Sequence, residues 1–145
     1  MQPEITEKLF KDVKCIAIVG AKDVPGQPVD TVGRYLIEAG YTVFPVHPVR
    51  QNVWGLTTYT SLAEIPSTID LVNVFRASVH CAEVARECQR LLALPFIFWM
   101  QLGIMNPEVH EIFFGSEMQV VENACIMVEH RKMMEARSSS KGILV

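Results

Sequence analysis

The sequence predicts an α/β domain built on a mostly parallel sheet of about five strands, doubly wound so that helices cover both faces. Three observations predict it. Cys15–Val19 is an unbroken apolar run that stops at Gly20, the pattern of a strand buried on both faces that feeds a tight turn. Phe96–Met100 is a second such run, apolar throughout, and belongs at the centre of a sheet. Between and beyond these runs, strand-like segments alternate with segments of helical spacing. That alternation gives a parallel sheet with helices on its faces, and right-handed crossovers favour double winding.

Taken in order, residues 3–12 read as a short helix in which Ile5, Leu9 and Phe10 share a face. The first strand spans 14–20. Pro25, Gly26 and Pro28 break regular structure in the following loop. A helix then runs from about Val29 to Ala39 on the stripe Val32, Leu36 and Ile37, and Gly40 ends it as a C′ glycine. The second strand is Tyr41–Val46, with Pro45, which cannot donate to a ladder, marking its end. Residues 47–52 form a loop, and Val53–Tyr59 turns back on it. Ser61 with Glu64 three residues on has capping-box spacing.

The third strand is Asp70–Phe75. Ser78 is placed to cap a helix from about Val79 to Leu92, whose apolar face is Cys81, Val84, Ala85, Cys88, Leu91 and Leu92. Asn106-Pro107 reads as an N-cap with Pro at N1, opening a helix to about Gly115. Gln119–Val121 is a short fifth strand. Residues 123–129 read as a loop, His130–Arg137 as a last helix and 138–145 as a flexible tail. The expected organisation is one Rossmann-like domain over residues 1–137, followed by that tail.

Composition bounds the function. The chain of 145 residues is long enough for one full core. A net charge of −3 argues against general nucleic-acid binding, which needs a basic surface. No apolar run approaches the length of a membrane span, and the N-terminal segment lacks a secretory core. The four scattered cysteines include no Cys-x-x-Cys pair, which disfavours a zinc site and is consistent with reduced thiols in the cytoplasm. No metal site is expected, and the oligomeric state is not legible.

In a sheet of this kind ligands bind outside the carboxyl ends of the strands, near the switch point. The strand exits carry Lys22, His47, Arg50, Arg76 and Gln101, with Arg34 one turn into the first long helix and Asp23 the one acid. Cations beside backbone N–H groups at a helix N-terminus suit a phosphorylated ligand. NAD is disfavoured twice over. Gly20, Gly26 and Gly33 do not form Gly-x-Gly-x-x-Gly, and His47 stands where an acid would hold the ribose hydroxyl.

The exits carry a resemblance. Ile18-Val19-Gly20-Ala21, Val32–Leu36 followed by Gly40–Val46, and Pro48 open the series. It continues through Gly55, Tyr59, Ser61–Pro66, Asp70–Arg76, Trp99–Ile104 and Cys125–His130. In this order and spacing they resemble the small CoA-binding domain proteins, whose fold is similar to the N-terminal domain of the succinyl-CoA synthetase alpha subunit. The resemblance covers about Val13 to Arg131. It implies coenzyme A as ligand, held at Gly20, Ala21, Lys22, Val46, Pro48, Phe75, Arg76, Gln101 and Gly103, and His47 joins these candidates from its place at the exit of the second strand. The chain departs from the family pattern at Lys22, where serine is usual, at Gln27-Pro28-Val29, where Arg-Pro-Ser is usual, and at His47, where asparagine is usual.

The expected function is binding of CoA or acyl-CoA without catalysis. Two alternatives stand beside it: an enzyme acting on a CoA thioester or other nucleotide-linked substrate through Cys125 or His47, and a ligand-responsive regulatory or scaffold module. Structural readings stand beside several site residues. Arg76 could pair with Asp70 or Glu64, His47 could serve a local carbonyl, and Trp99, Met100, Cys81 and Cys88 are expected in the core. Glu129-His130 is expected at the surface.

Overall fold

The computed structural model describes residues 1–143, with side chains to 139. Five strands, β1 (Cys15–Val19), β2 (Thr42–Val46), β3 (Leu71–Val74), β4 (Ile97–Met100) and β5 (Gln119–Val121), form one sheet in the order β2-β1-β3-β4-β5. Every pairing is parallel, so the sheet is parallel throughout where a mostly parallel one was expected. The helices are α1 (Pro3–Phe10), α2 (Pro28–Glu38), α3 (Cys81–Gln89), α4 (Pro107–Phe113) and α5 (Ile126–Ile143).

The strands are apolar on both sides because both sides are covered. One layer joins Ala17, Val72 and Phe98 to Val84 and Cys88 of α3 and Val109 and Phe113 of α4. The other joins Ile16, Ile18 and Trp99 to Phe10 of α1, Val32 and Leu36 of α2, and Ile126 and Met133 of α5. Trp99 and Met100 are fully buried, as are Cys81 and Cys88. The Trp99 indole N–H donates to the Ala124 carbonyl at 2.8 Å, which fixes the segment entering α5 against the sheet.

The chain leaves β1 outward to β2 and then crosses back to β3 on the opposite side of β1. This reversal makes the carboxyl ends of β1 and β3 the switch point. The return link has no full helix. It wraps the edge of β2, where Tyr59 pairs with Val46 in a single parallel bridge. Tyr59 N–H donates to the Pro45 carbonyl and His47 N–H to the Tyr59 carbonyl, both at 2.9 Å. Pro45 therefore sits inside β2, where an edge strand tolerates it, and does not end it.

Several local readings change. Ser61 makes no side-chain cap; Glu64 instead accepts from the Thr60 amide and hydroxyl, one residue earlier than a capping box requires. Ser78 lies within a 3-10 turn that precedes α3, and its hydroxyl accepts from Met105 N–H across the exit of β4. Leu92 lies beyond α3 and is exposed. Asn106 does cap α4, accepting from Glu108 N–H at 2.9 Å.

The largest difference concerns α5. It starts at Ile126, four residues before the expected start, and continues through residue 143, across positions read as tail. Residues 144 and 145 of that expected tail lie outside the described residues. Glu129 and His130, expected at the surface, are buried. His130 lies between two phenols, with Tyr35 Oη 2.7 Å from Nδ1 and Tyr41 Oη 2.9 Å from Nε2. No helix is long and apolar enough to cross a membrane among the described residues.

Candidate functional site

Gly20 ends β1 at φ +86°, and a Cβ there would overlap the Phe75 carbonyl oxygen while standing 3.1 Å from its carbonyl carbon. Only glycine combines that backbone angle with that approach. Gly20 and Ala21 N–H both donate to the Val46 carbonyl, at 2.9 and 3.2 Å, and Phe75 N–H donates to the Val19 carbonyl at 2.9 Å. The exits of the first three strands are thus tied into one edge. Gly20, Phe75 and Arg76 line two clefts at this edge and form the ridge that the clefts share.

The first cleft, of about 470 Å³, is lined by Gly20, Lys22, Phe75, Arg76 and Gln101, by Gln27, Pro28 and Val29 at the start of α2, and by Leu102, Ile104 and Cys125. Pro28 occupies the first turn of α2 and Gln27 gives no side-chain cap. The N-terminus of an 11-residue helix therefore opens on this cleft. Pro28 has no N–H, and Asp30 and Thr31 N–H donate to the Gln27 carbonyl at 3.1 and 3.2 Å, which leaves Val29 N–H as the first-turn amide without a protein acceptor among the described residues. The second cleft, of about 600 Å³, is lined by Val46, His47 and Pro48, by Thr60 and Ser61, by Glu83 and Glu87 of α3, and again by Gly20, Lys22, Phe75 and Arg76.

Of the predicted residues, Gly20, Lys22, Phe75 and Arg76 face both clefts. Val46, His47 and Pro48 face the second and Gln101 the first. Ala21 and Gly103 line neither. Ala21 is fully buried in the layer beneath α2. Gly103, at φ +83°, shapes the exit turn of β4, where its N–H donates to Asn123 Oδ1 at 2.8 Å. Thr60, Ser61, Glu83 and Glu87 were not anticipated. Their seats depend on how the link after β2 packs on α3, with Leu62 N–H donating to Glu87 Oε1 at 2.6 Å.

The cations sort themselves. Arg50 pairs with Asp23 at 3.7 Å. Arg34 pairs with the buried Asp30 at 3.0 Å within α2. Asp30 Oδ1 also accepts from the Trp54 indole at 2.9 Å, and Trp54 lies flat over Gly33, where a Cβ would meet its ring. These two arginines are thereby engaged in structure. Lys22 and Arg76 have no ion-pair partner among the described residues. The acids that Arg76 could have paired with are committed elsewhere: Asp70 Oδ2 accepts from Lys14 and Cys15 N–H, and Glu64 from Thr60.

His47 is an acceptor for backbone N–H groups, not a donor to a carbonyl. Its Nδ1 accepts from Val49 and Arg50 N–H at 3.1 and 3.0 Å, so the neutral ring carries its proton on Nε2. Partial burial and the nearby Arg50, Lys22 and Arg76 charges hold the imidazole below its ordinary range. Gln101 is only 5 % exposed. Its Oε1 accepts from Asn73 Nδ2 at 3.2 Å and from Ile126 N–H at 3.3 Å. Because Ile126 N–H can only donate, the atom facing it is the carbonyl oxygen. The Gln101 NH2 has no protein acceptor among the described residues, and the residue lines the first cleft.

This arrangement supplies cations, a helix-terminal amide and a side-chain amide donor along an apolar trench, a chemistry suited to a phosphorylated ligand with an extended arm. Known proteins share the fold. An uncharacterized protein of Bacillus subtilis, YneT, is 36 % identical over 127 residues, covering 88 % of this chain and 92 % of that one. The ADP-forming acetate–CoA ligase I of Archaeoglobus fulgidus is 29 % identical over 84 residues, which are 58 % of this chain and 12 % of the ligase. A solved structure of a hypothetical protein from Pyrococcus horikoshii superposes with a TM-score of 0.86 at 28 % identity, covering 92 % of this chain and 93 % of that one. Residues 14–131 match the family described as the CoA binding domain, and the chain belongs to that family.

Proposed function

We propose that the chain binds coenzyme A or an acyl-CoA as a ligand, without catalysing a reaction on it. The observation that carries this reading is the ridge of Gly20, Phe75 and Arg76 at the switch point, where Lys22 and Arg76 serve two clefts at once. A diphosphate over the ridge meets both cations and the N-terminal end of α2, where Val29 N–H is free. The two ends of a CoA-sized molecule then take one cleft each. The second cleft, with Thr60, Ser61, Glu83 and Glu87, offers hydrogen-bond acceptors to a nucleoside. The first, with Val29, Leu102 and Ile104 beside the Gln101 NH2, suits a pantetheine arm with its amide carbonyls.

Lys22 compensates for the departures from the family pattern. It brings charge to the ridge where the loop lacks an arginine and hydroxyls. Lys22 and Arg76 are the cations shared by both clefts and suit phosphate, Glu83 and Glu87 lie on the second cleft only, and His47 is occupied by its own backbone. Isothermal titration calorimetry of the full chain against CoA, dephospho-CoA and NAD tests the reading. CoA gives heat and a Kd in the micromolar range or below, dephospho-CoA binds more weakly, and NAD gives none. No heat with CoA at high micromolar concentration refutes the proposal.

A further inference from the structure

Cys125 is the one cysteine that lines either cleft. Cys81 and Cys88 are buried in the α3 layer, and burial raises both thiols, Cys81 to about 11. Cys15 is at the start of β1, at the opposite end of the strands, with its N–H held by Asp70. Cys125 is half-buried and immediately precedes α5. Its carbonyl accepts the first intrahelical bond, from Glu129 N–H at 3.0 Å. It is thus the N-cap of a long helix.

An independent feature of the same cleft points to a ligand. The Gln101 side chain is 95 % buried by its 5 % exposure, and its carbonyl is spent on Asn73 and on Ile126, the residue after Cys125. Its NH2 has no protein acceptor among the described residues, on a residue that lines the first cleft. One carbonyl bond from Gln101 therefore anchors the start of α5, and one free donor addresses the ligand, so the cysteine and the ligand's arm are registered against the same side chain.

We infer that Cys125 forms a mixed disulfide with the thiol of a pantetheine arm seated in the first cleft, by exchange with that ligand's own symmetrical disulfide. The inference rests on the CoA reading above. In the exchange, the Cys125 thiolate attacks one sulfur of CoA disulfide. A Cys125–CoA S–S bond forms, the original S–S bond breaks, and the second CoA leaves as a thiolate carrying the electron pair. The proton that Cys125 lost ends on that thiolate or in solvent. One disulfide is exchanged for another, so no further oxidant is required. The protein contributes proximity, since a ligand held at the ridge presents its sulfur to one thiol.

The test is intact-mass and peptide mass spectrometry of the reduced full chain after incubation with CoA disulfide, with glutathione disulfide at equal concentration as comparison. One CoA is expected per chain, on Cys125, forming at least about tenfold faster than the glutathione adduct, and reversed by a thiol reductant. Cys125→Ser abolishes it. Equal rates for the two disulfides, an adduct spread over other cysteines, or an adduct that persists in Cys125→Ser overturns the inference. Calorimetry of the wild-type chain with CoA separates the two failures. Heat without an adduct removes the exchange and leaves CoA binding standing, whereas neither heat nor adduct removes both.

Discussion

Replacing Gly20 by alanine probes the point where β1 and β3 come closest. Two separable costs act there. Gly20 has φ +86°, a conformation that costs an L-residue about 1–2 kcal/mol. Its added Cβ also overlaps the Phe75 carbonyl oxygen and stands 3.4 Å from Arg76 Cγ. Relief requires the two strand ends to part, and overpacking of this kind costs about 1–3 kcal/mol more. The oxygen is part of the backbone and has no rotamers to move through as a side chain would, and the Phe75 N–H bond to the Val19 carbonyl at 2.9 Å holds the residue against β1. Gly26 is the internal control. It has nearly the same φ, +87°, with nothing within 4 Å of a Cβ, so Gly26→Ala isolates the backbone cost.

Urea unfolding followed by circular dichroism reads both. Gly26→Ala should lose about 1–2 kcal/mol and Gly20→Ala about 2–5 kcal/mol. The latter is a fall in Tm of roughly 10 °C for a domain of this size. Gly20→Ala should also weaken CoA, since the parted strands disturb the ridge, whereas Gly26→Ala should change the affinity less. Equal destabilisation by the two substitutions would refute the argument that a backbone approach, and not φ alone, selects glycine at position 20.

Other outcomes follow from the same edge and from the core behind it. Arg76→Ala should raise the Kd for CoA about 10–150-fold by loss of a charge-assisted hydrogen bond, at nearly unchanged Tm because Arg76 has no carboxylate partner; calorimetry giving an unaltered Kd removes it from the site. Lys22→Ala should weaken CoA less, and the deficit should shrink between low and high salt as screening replaces the lost charge; a salt-independent deficit indicates packing. His130 sits buried between Tyr35 and Tyr41, and burial followed by the Arg137 charge lowers its pKa. The unfolded chain therefore takes up the proton first, so this contribution to stability is present above the ordinary histidine range and is lost as pH falls through it. The urea midpoint should drop between pH 7.5 and 5.5, and His130→Asn should flatten that drop; an unchanged slope assigns the pH dependence elsewhere.

Much of this molecule is written locally. Apolar runs such as Cys15–Val19 and Phe96–Met100 read as buried strands because a sheet covered on both faces needs no alternation. Gly40, Asn106 and Pro107 mark helix ends because capping is chemistry between near neighbours. The ordering of strand exits followed from these elements, and with it Gly20, Lys22 and Arg76 at one edge. Local pattern misled where an environment was supplied from far away. Ser138–Gly142 has the composition of a tail yet continues α5, and α5 packs Ile126 and Met133 against the sheet. His130 looked like a surface residue because neither tyrosine that receives it is near it in sequence.

Sequence alone determined the fold class and brought Gly20, Lys22, Phe75 and Arg76 to one end of the sheet, since crossover handedness follows from the succession of elements. Tertiary structure decided which of those residues are free to act. Arg34 and Arg50 are claimed by Asp30 and Asp23, while Lys22 and Arg76 remain open to the clefts. Gln101 divides its amide between the start of α5 and the ligand space, and Cys125 reaches the same space only because α5 begins there. Pairing, burial and the direction of an N–H depend on neighbours that are distant along the chain, and only the folded packing brings them into contact.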